Sequence, residues 1–216
     1  LSAPQKRKQT AWKKSRKFGD VKGGRMRPKL ADNIFNRQHS LLAPSQGEET
    51  PVYMVDNPSR DFYFPVTVED IKQVLSQLPV ELTQHLTHVW LRKRSKKREL
   101  YQGAFICGSG VQLVVIYAFP KDLLMRFGEE KPSGSTLTWY APYKPELIRQ
   151  KNKWFLKWSE EGIRKYYLEG LLLHEIGHKA DSYYKRYWSV AYAKKAEKFA
   201  NNFAYYWADE LRTAYE

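Results

Sequence analysis

The segment LLLHEIGHKAD, from Leu171 to Asp181, carries two histidines four residues apart on the apolar side of a helical pattern. Ile163, Tyr167 and Leu171 precede His174 and His178 in the same phase, which predicts one long helix from Glu160 to about Tyr184. Two histidines on such a face are either satisfied core residues or ligands of one ion, because residues four apart stand one turn apart on a single side. Glu175 lies beside the first histidine and cannot easily reach the same ion, but its carboxylate can reach a water on it. Zinc lowers the pKa of a bound water towards about 7, and a glutamate so placed can remove its proton. Gly177 leaves little bulk beside the metal.

A zinc site of this type wants a third protein ligand and an open fourth position. No histidine follows His178 and no methionine follows Met125, so a third histidine with a methionine-containing turn is excluded. The acids that remain include Asp181, Glu197, Asp209, Glu210 and Glu216. Asp181 shares the face of His174, but an unbroken helix carries it a turn beyond the ion, where it supports a ligand or substitutes for one. Glu197 is the better candidate. It falls in AEKFANNFA on a second helix expected over Val190 to Tyr215, where Glu197, Ala200, Asn201 and Ala204 share a face and the small residues allow close approach. Asn201, four residues on, can hydrogen-bond a ligand imidazole.

LLLHEIGH followed by EKFANNFA resembles the compact zincins with a glutamate third ligand, in particular the ImmA/IrrE-like metallopeptidases. The resemblance covers residues 67–214 in element order, with its specific motifs inside 171–204. It implies a minimal zincin-like metallopeptidase fold, with His174, His178 and Glu197 as Zn2+ ligands, Glu175 as general base and peptide-bond hydrolysis as the reaction. Zincins bind an extended substrate as an added strand, for which TLTWYAP (136–142) or KWFLKWS (153–159) is the candidate edge. Tyr140, Tyr183 and Tyr187 are the candidate donors to a developing oxyanion.

The remaining pattern predicts an α+β domain over 52–216. TVEDIKQVLSQLP (67–79) has Thr67 as N-cap, Asp70 three residues on, and Ile71, Val74, Leu75 and Leu78 at helical spacing. THVWLRKR, ELYQGAFICG and VQLVVIYAF read as strands, the last two joined as a hairpin, in a small and mostly antiparallel sheet. PKDLLMRFG reads as one or two helical turns, EEKPSGST as a loop, and TLTWYAP and KWFLKWS as short strands.

Charge is concentrated rather than spread. Eleven Lys and Arg lie within residues 1–30 and six more in RKRSKKR (92–98), which leaves 20 basic and 22 acidic residues for everything else. Residues 1–51 read as a basic arm that is flexible or folds on a partner. Lys13, Lys14, Arg16 and Lys17, interleaved with Trp12 and Phe18, and Arg92, Lys93, Arg94, Lys96, Lys97 and Arg98 suit non-specific contact with DNA or RNA. The SprT-like proteases, which digest proteins attached to DNA, are a functional analogy for that combination. Cys107 is the only cysteine, which rules out an intramolecular disulfide and a cysteine zinc cluster and favours a reducing, cytoplasmic setting. No apolar run is long enough to span a bilayer. The rival reading is a non-enzymatic nucleic-acid-binding or scaffold protein on the same fold.

Overall fold

The structure is a computed structural model that describes residues 21–22, 25–26, 41–94, 102–108, 110–181 and 190–213. Residues 1–43 and 107–111 form one compact unit, and residues 44–106 and 112–216 the other. In the first, β1 (Val21–Lys22) pairs antiparallel with β2 (Arg25–Met26). The rest of the basic arm, Lys13 to Lys17 included, lies outside the described residues, as do Lys96, Lys97 and Arg98.

The larger unit is α+β. Its main sheet, of which Cys107, Gly108 and Val111 are counted in the first unit, has the order β3 (Val52–Val55), β5 (His88–Arg92), β7 (Val111–Tyr117), β6 (Gly103–Gly108). β3 pairs parallel with β5, and β5 parallel with β7. The expectation of a mostly antiparallel sheet is therefore corrected for this sheet. The reason is the crossover: α1 (Val68–Gln77) links β3 to β5, and the β6–β7 hairpin folds so that its second strand lies against β5. β7 becomes an interior strand with β5, and Leu113, Val114, Val115 and Ile116 on it are fully buried, as a strand covered on both faces requires. Among the described residues β6 is left at the edge.

α1 begins as its sequence signals. The Thr67 hydroxyl accepts from the Asp70 N–H at 3.1 Å, and the Asp70 carboxylate accepts from the Thr67 N–H at 2.9 Å. Ile71, Leu75 and Leu78 are buried beneath it. A short α2 (Val80–Thr83) follows, and Lys179 donates to the Leu82 carbonyl at 3.0 Å. His85 stands after α2 in the left-handed region, and His88 is a buried strand residue.

Two smaller sheets lie beside this one: β4 (Phe62–Tyr63) with β8 (Phe119–Pro120), and β9 (Leu124–Gly128), β11 (Lys153–Lys157) and β10 (Glu146–Gln150), all antiparallel. PKDLLMRFG is therefore a strand, not helical turns. Leu123 takes a positive φ, the Asp122 carboxylate accepts from the Leu124 N–H, and buried Met125 pairs with buried Leu156. TLTWYAP is also corrected: Gly134–Tyr140 is helix α3, running into a 3₁₀ turn at Ala141–Tyr143. The Ser133 hydroxyl caps it by accepting from the Thr136 N–H at 3.2 Å, and this outweighs the strand preference of its threonines and aromatics. KWFLKWS forms β11 as expected. The hairpin to β10 turns on Lys151 and Asn152, both with positive φ, and was not legible because neither is glycine.

The long helix is continuous from Glu160 to Ala180 but changes register. α4 (Glu160–Lys165) passes into a π-helical segment, Tyr166–Leu172, and then into α5 (Leu173–Ala180), which ends with Asp181 as cap. It stops short of the Tyr184 predicted, at an Asp181 backbone that is already extended. α6 (Val190–Thr213) packs on it through Ala196, Ala200, Ala204 and Ala208, all buried at four-residue spacing.

Candidate metal centre

Three helices and one strand edge meet at the HExxH segment. His174 and His178 project from α5 with their Nε2 atoms 3.0 Å apart. Glu197 comes from α6, its Oε2 3.4 Å from His174 Nε2 and its Oε1 3.5 Å from His178 Nε2. Ligands held at about 2.0–2.2 Å by one tetrahedral ion stand about 3.3–3.6 Å from one another. The triangle is therefore already close to the spacing that one ion needs, and the group could hold a metal ion. Glu197 is about half exposed, which leaves the open side of the triangle facing the cleft.

Close approach of the two helices creates the triangle. A Cβ added at Gly177 would stand 2.9 Å from Ala200 Cα and 3.1 Å from Phe203 Cβ. Only hydrogen fits there, and Glu197 and Asn201, on either side of Ala200 along α6, are brought over the histidines as a result.

The electrostatics divide the two histidines. Burial lowers His174's affinity for a proton, but the hydrogen bond its ring donates to Glu197 and the charges of Glu175 and Glu197 outweigh it and hold its pKa above the usual 6.5, with Asn201 adding to the effect. Burial and the neighbouring His174 push His178 down to about 4, against the attraction of Glu197 and Asp181. A metal ion must displace the proton on His174, whereas His178 is neutral and ready. Metal affinity should therefore rise with pH while His174 still holds its proton, with protons released on binding. Calorimetric titration with Zn2+ in two buffers of different ionisation enthalpy, between about pH 5.5 and 8, reads the proton count. Affinity independent of pH across this range would contradict the assignment.

Glu175 is 5% exposed and is not in the triangle. Burial pushes its pKa up to about 7, opposed by the charge of His174 and by a hydrogen bond from the Phe105 N–H. That bond ties the carboxylate to β6. A Cβ at Gly103 would meet Glu175 Oε1 and Leu171 Cδ1 at 2.9 Å, so glycine lets the strand run this close to the helix. Because the Gln102 carbonyl accepts from the Tyr117 N–H across the hairpin, the alternate residues Gly103 and Phe105 turn their backbone groups away from β7, and the Phe105 N–H is the one that Glu175 takes. The edge strand beside the site is thus β6, not TLTWYAP or KWFLKWS.

The cleft over the triangle has a volume of about 370 Å³ and runs between β6 and α3, with Leu171 and Tyr166 on its floor. Asn201 and Tyr140 line it, and Tyr140 also packs against Trp158 and Tyr166. Asp181 is buried at the end of α5, on the side of His178. Tyr183 and Tyr187 lie outside the described residues. In the basic run, Arg92 stacks over the Trp90 ring at 4.4 Å, the Lys93 N–H donates to Asp56, and Arg94 turns inward to donate to Gln102 Oε1 at 2.5 Å.

Sequence reasoning missed Trp139, Gly103, Gln102 and Tyr166. Trp139, on α3, stands edge-on to the His174 ring at 5.7 Å and to Tyr205 at 5.1 Å, and so roofs the first histidine. Tyr166 is eight residues before His174, which in an unbroken α-helix sets it about 80° off that face. The wide π turns absorb roughly one residue, so about seven steps count and Tyr166 comes within about 20° of it. Comparison with protein-family models, with curated proteins and with solved structures finds no match.

Proposed function

We propose that the chain is a zinc-dependent metalloendopeptidase with a zincin-like fold. The observation that carries this reading is the triangle of His174, His178 and Glu197 with the buried Glu175 carboxylate tied beside it to an edge strand. Two nitrogens and one carboxylate oxygen are a donor set that suits Zn2+, and a zinc ion held there supplies a Lewis acid that acidifies water and polarises a carbonyl.

The chain's own residues supply the rest. An extended peptide pairs with β6 at Gly103, beside the Phe105 N–H that holds Glu175, which places one of its carbonyls over the triangle. Glu175, with a pKa near the working pH, takes a proton from the attacking water and delivers it to the nitrogen of the leaving amine. Water is thereby added across the C–N bond, its oxygen and one hydrogen to the carboxyl product and the other proton to the amine. Trp139 excludes solvent from the His174 side. Tyr140 is the described candidate for a donor to the oxyanion.

The basic arm and the run at 92–98 hold the enzyme near DNA or RNA without reading sequence; Arg92 and Lys93 are the described residues that serve this, while Arg94 acts within the fold. Among the described residues no helix is long and apolar enough to cross a membrane. A cytoplasmic site of action, close to nucleic acid, is the setting we propose. The test is hydrolysis and zinc content measured together on wild type and Glu175→Gln. Hydrolysis in wild type alone, with zinc in both, supports the peptidase; equal hydrolysis in both, or in neither, overturns it.

A further inference from the structure

A second cleft, about 630 Å³ in volume, opens on the far side of Gln102 from the metal centre. Its apolar walls are Phe62 from β4 and Leu124, Met125, Phe127 and Phe155 from the β9–β11 sheet, and charged Asp61, Arg94, Lys153 and the paired Asp122 and Arg126 line it as well. Phe155 pairs in register with Arg126, whose guanidinium stands 6.0 Å over the Phe155 ring, and Arg94 stands 5.9 Å over Phe62. The metal cleft and this one share Gln102 as a common wall. Gln102 is 6% exposed and held in place: its side-chain oxygen accepts from Arg94, and the Tyr167 hydroxyl lies 3.5 Å from it.

From these facts we infer that the second cleft is a specificity pocket for a bulky apolar side chain, preferably aromatic, of a polypeptide bound along β6. This rests on the peptidase reading for its consequence in cleavage, though not for binding itself. Gln102 immediately precedes β6, and Glu175 stands against Gly103, so the cleft begins one residue beyond the point where the strand meets the catalytic carboxylate. A chain paired with β6 advances about 3.3 Å per residue and turns alternate side chains to the same face. The side chain two residues from the scissile bond, on the Gln102 side, therefore arrives at the mouth of the cleft. Its volume takes a phenylalanine, leucine or methionine with room to spare. Cations already facing two wall rings favour a further aromatic ring between them. A preference at this position would explain how a shallow metal cleft selects one segment of an unfolded chain over another.

The experiment uses blocked nonapeptides in which one phenylalanine is moved through a background of Gly, Ser and Ala, with the full chain loaded with Zn2+. Cleavage is located by mass spectrometry for wild type, Leu124→Trp and Phe155→Leu. Leu124 is a partly exposed wall residue, so tryptophan there narrows the cleft; Phe155→Leu lowers one wall and serves if the first variant disturbs the sheet. Scission at a constant distance of two residues from phenylalanine is expected, with kcat/KM for that peptide falling about tenfold or more in Leu124→Trp. Phenylalanine-free peptides should be cut equally by all three. Scission indifferent to the phenylalanine, or unaffected by both variants, would overturn the pocket while leaving the peptidase intact.

A second arm separates the two readings. Binding of the same peptides, fluorescein-labelled, to zinc-loaded Glu175→Gln is followed by anisotropy. If wild type cuts nothing but the phenylalanine peptides bind about tenfold tighter than phenylalanine-free ones, and lose this in a Leu124→Trp/Glu175→Gln double variant, the pocket stands and the peptidase falls. Equal or absent binding overturns the pocket.

Discussion

Glu175→Gln is expected to abolish measurable peptide hydrolysis and to leave zinc in place. The substitution keeps the shape of the side chain and removes the carboxylate that lines the cleft beside the metal triangle without belonging to it. Proton transfer by a placed side chain contributes about 10²–10⁴ in rate, so a drop of that order or more in kcat follows. Zinc is retained because Glu175 contributes no atom to the triangle. The amide should also relieve part of the cost of burying a carboxylate whose pKa is already pushed to about 7. Its contact with the Phe105 N–H can persist through the amide oxygen. The variant should therefore be no less stable than wild type at neutral pH, which thermal unfolding of the zinc-free protein would show. Hydrolysis within a factor of a few of wild type would remove Glu175 from the mechanism.

The second large effect is expected at a residue that touches no ligand. In Gly177→Ala the new Cβ meets backbone, Ala200 Cα at 2.9 Å and the Ala200 carbonyl oxygen at 3.2 Å, and no side chain rotation clears it. Helices α5 and α6 must separate by a few tenths of an ångström or more. Overpacking of this kind costs about 1–3 kcal/mol. The same separation draws Glu197 away from both histidines and widens the triangle, so zinc affinity should fall about tenfold or more together with the unfolding midpoint. Glu197→Gln at the same site weakens the metal while leaving the helix packing alone. Stability lost in Gly177→Ala with zinc affinity unchanged would mean that the interhelical distance does not set the site.

Much of this site is written in local patterns. His174 and His178 are one turn apart, and four alanines at four-residue spacing announce a helix that can come close to a glycine. The capping box at Thr67 and Asp70 is equally local, and it starts α1 where it should. What could not be read depends on contacts between distant segments. VYMVD at 52–56 is short and leaves both valines exposed, and becomes a strand only because β5 accepts it in parallel register. LLMRFG and TLTWYA exchange roles because apolar runs of this length suit either state, and Leu123 and Ser133 decide between them through a positive φ and a cap. The π segment shifts phase by about one residue, within the tolerance of any periodicity argument, yet it decides whether Tyr166 or Tyr167 faces the cleft. Gly103 carries a signal only after β6 is known to lie against α5. Tyr167 illustrates the other outcome: it faces the core, 0% exposed, and its hydroxyl donates to the Tyr117 carbonyl at 2.8 Å.

The most direct test of the metal centre is elemental analysis of wild type and Glu197→Ala purified side by side without chelator. The geometry predicts about one zinc per chain in wild type and little or none in the variant, since two imidazoles alone hold zinc far more weakly than the three-ligand set. Zinc absent from both, or present equally in both, would contradict the three-ligand site and leave His174 and His178 as buried histidines on an ordinary helix.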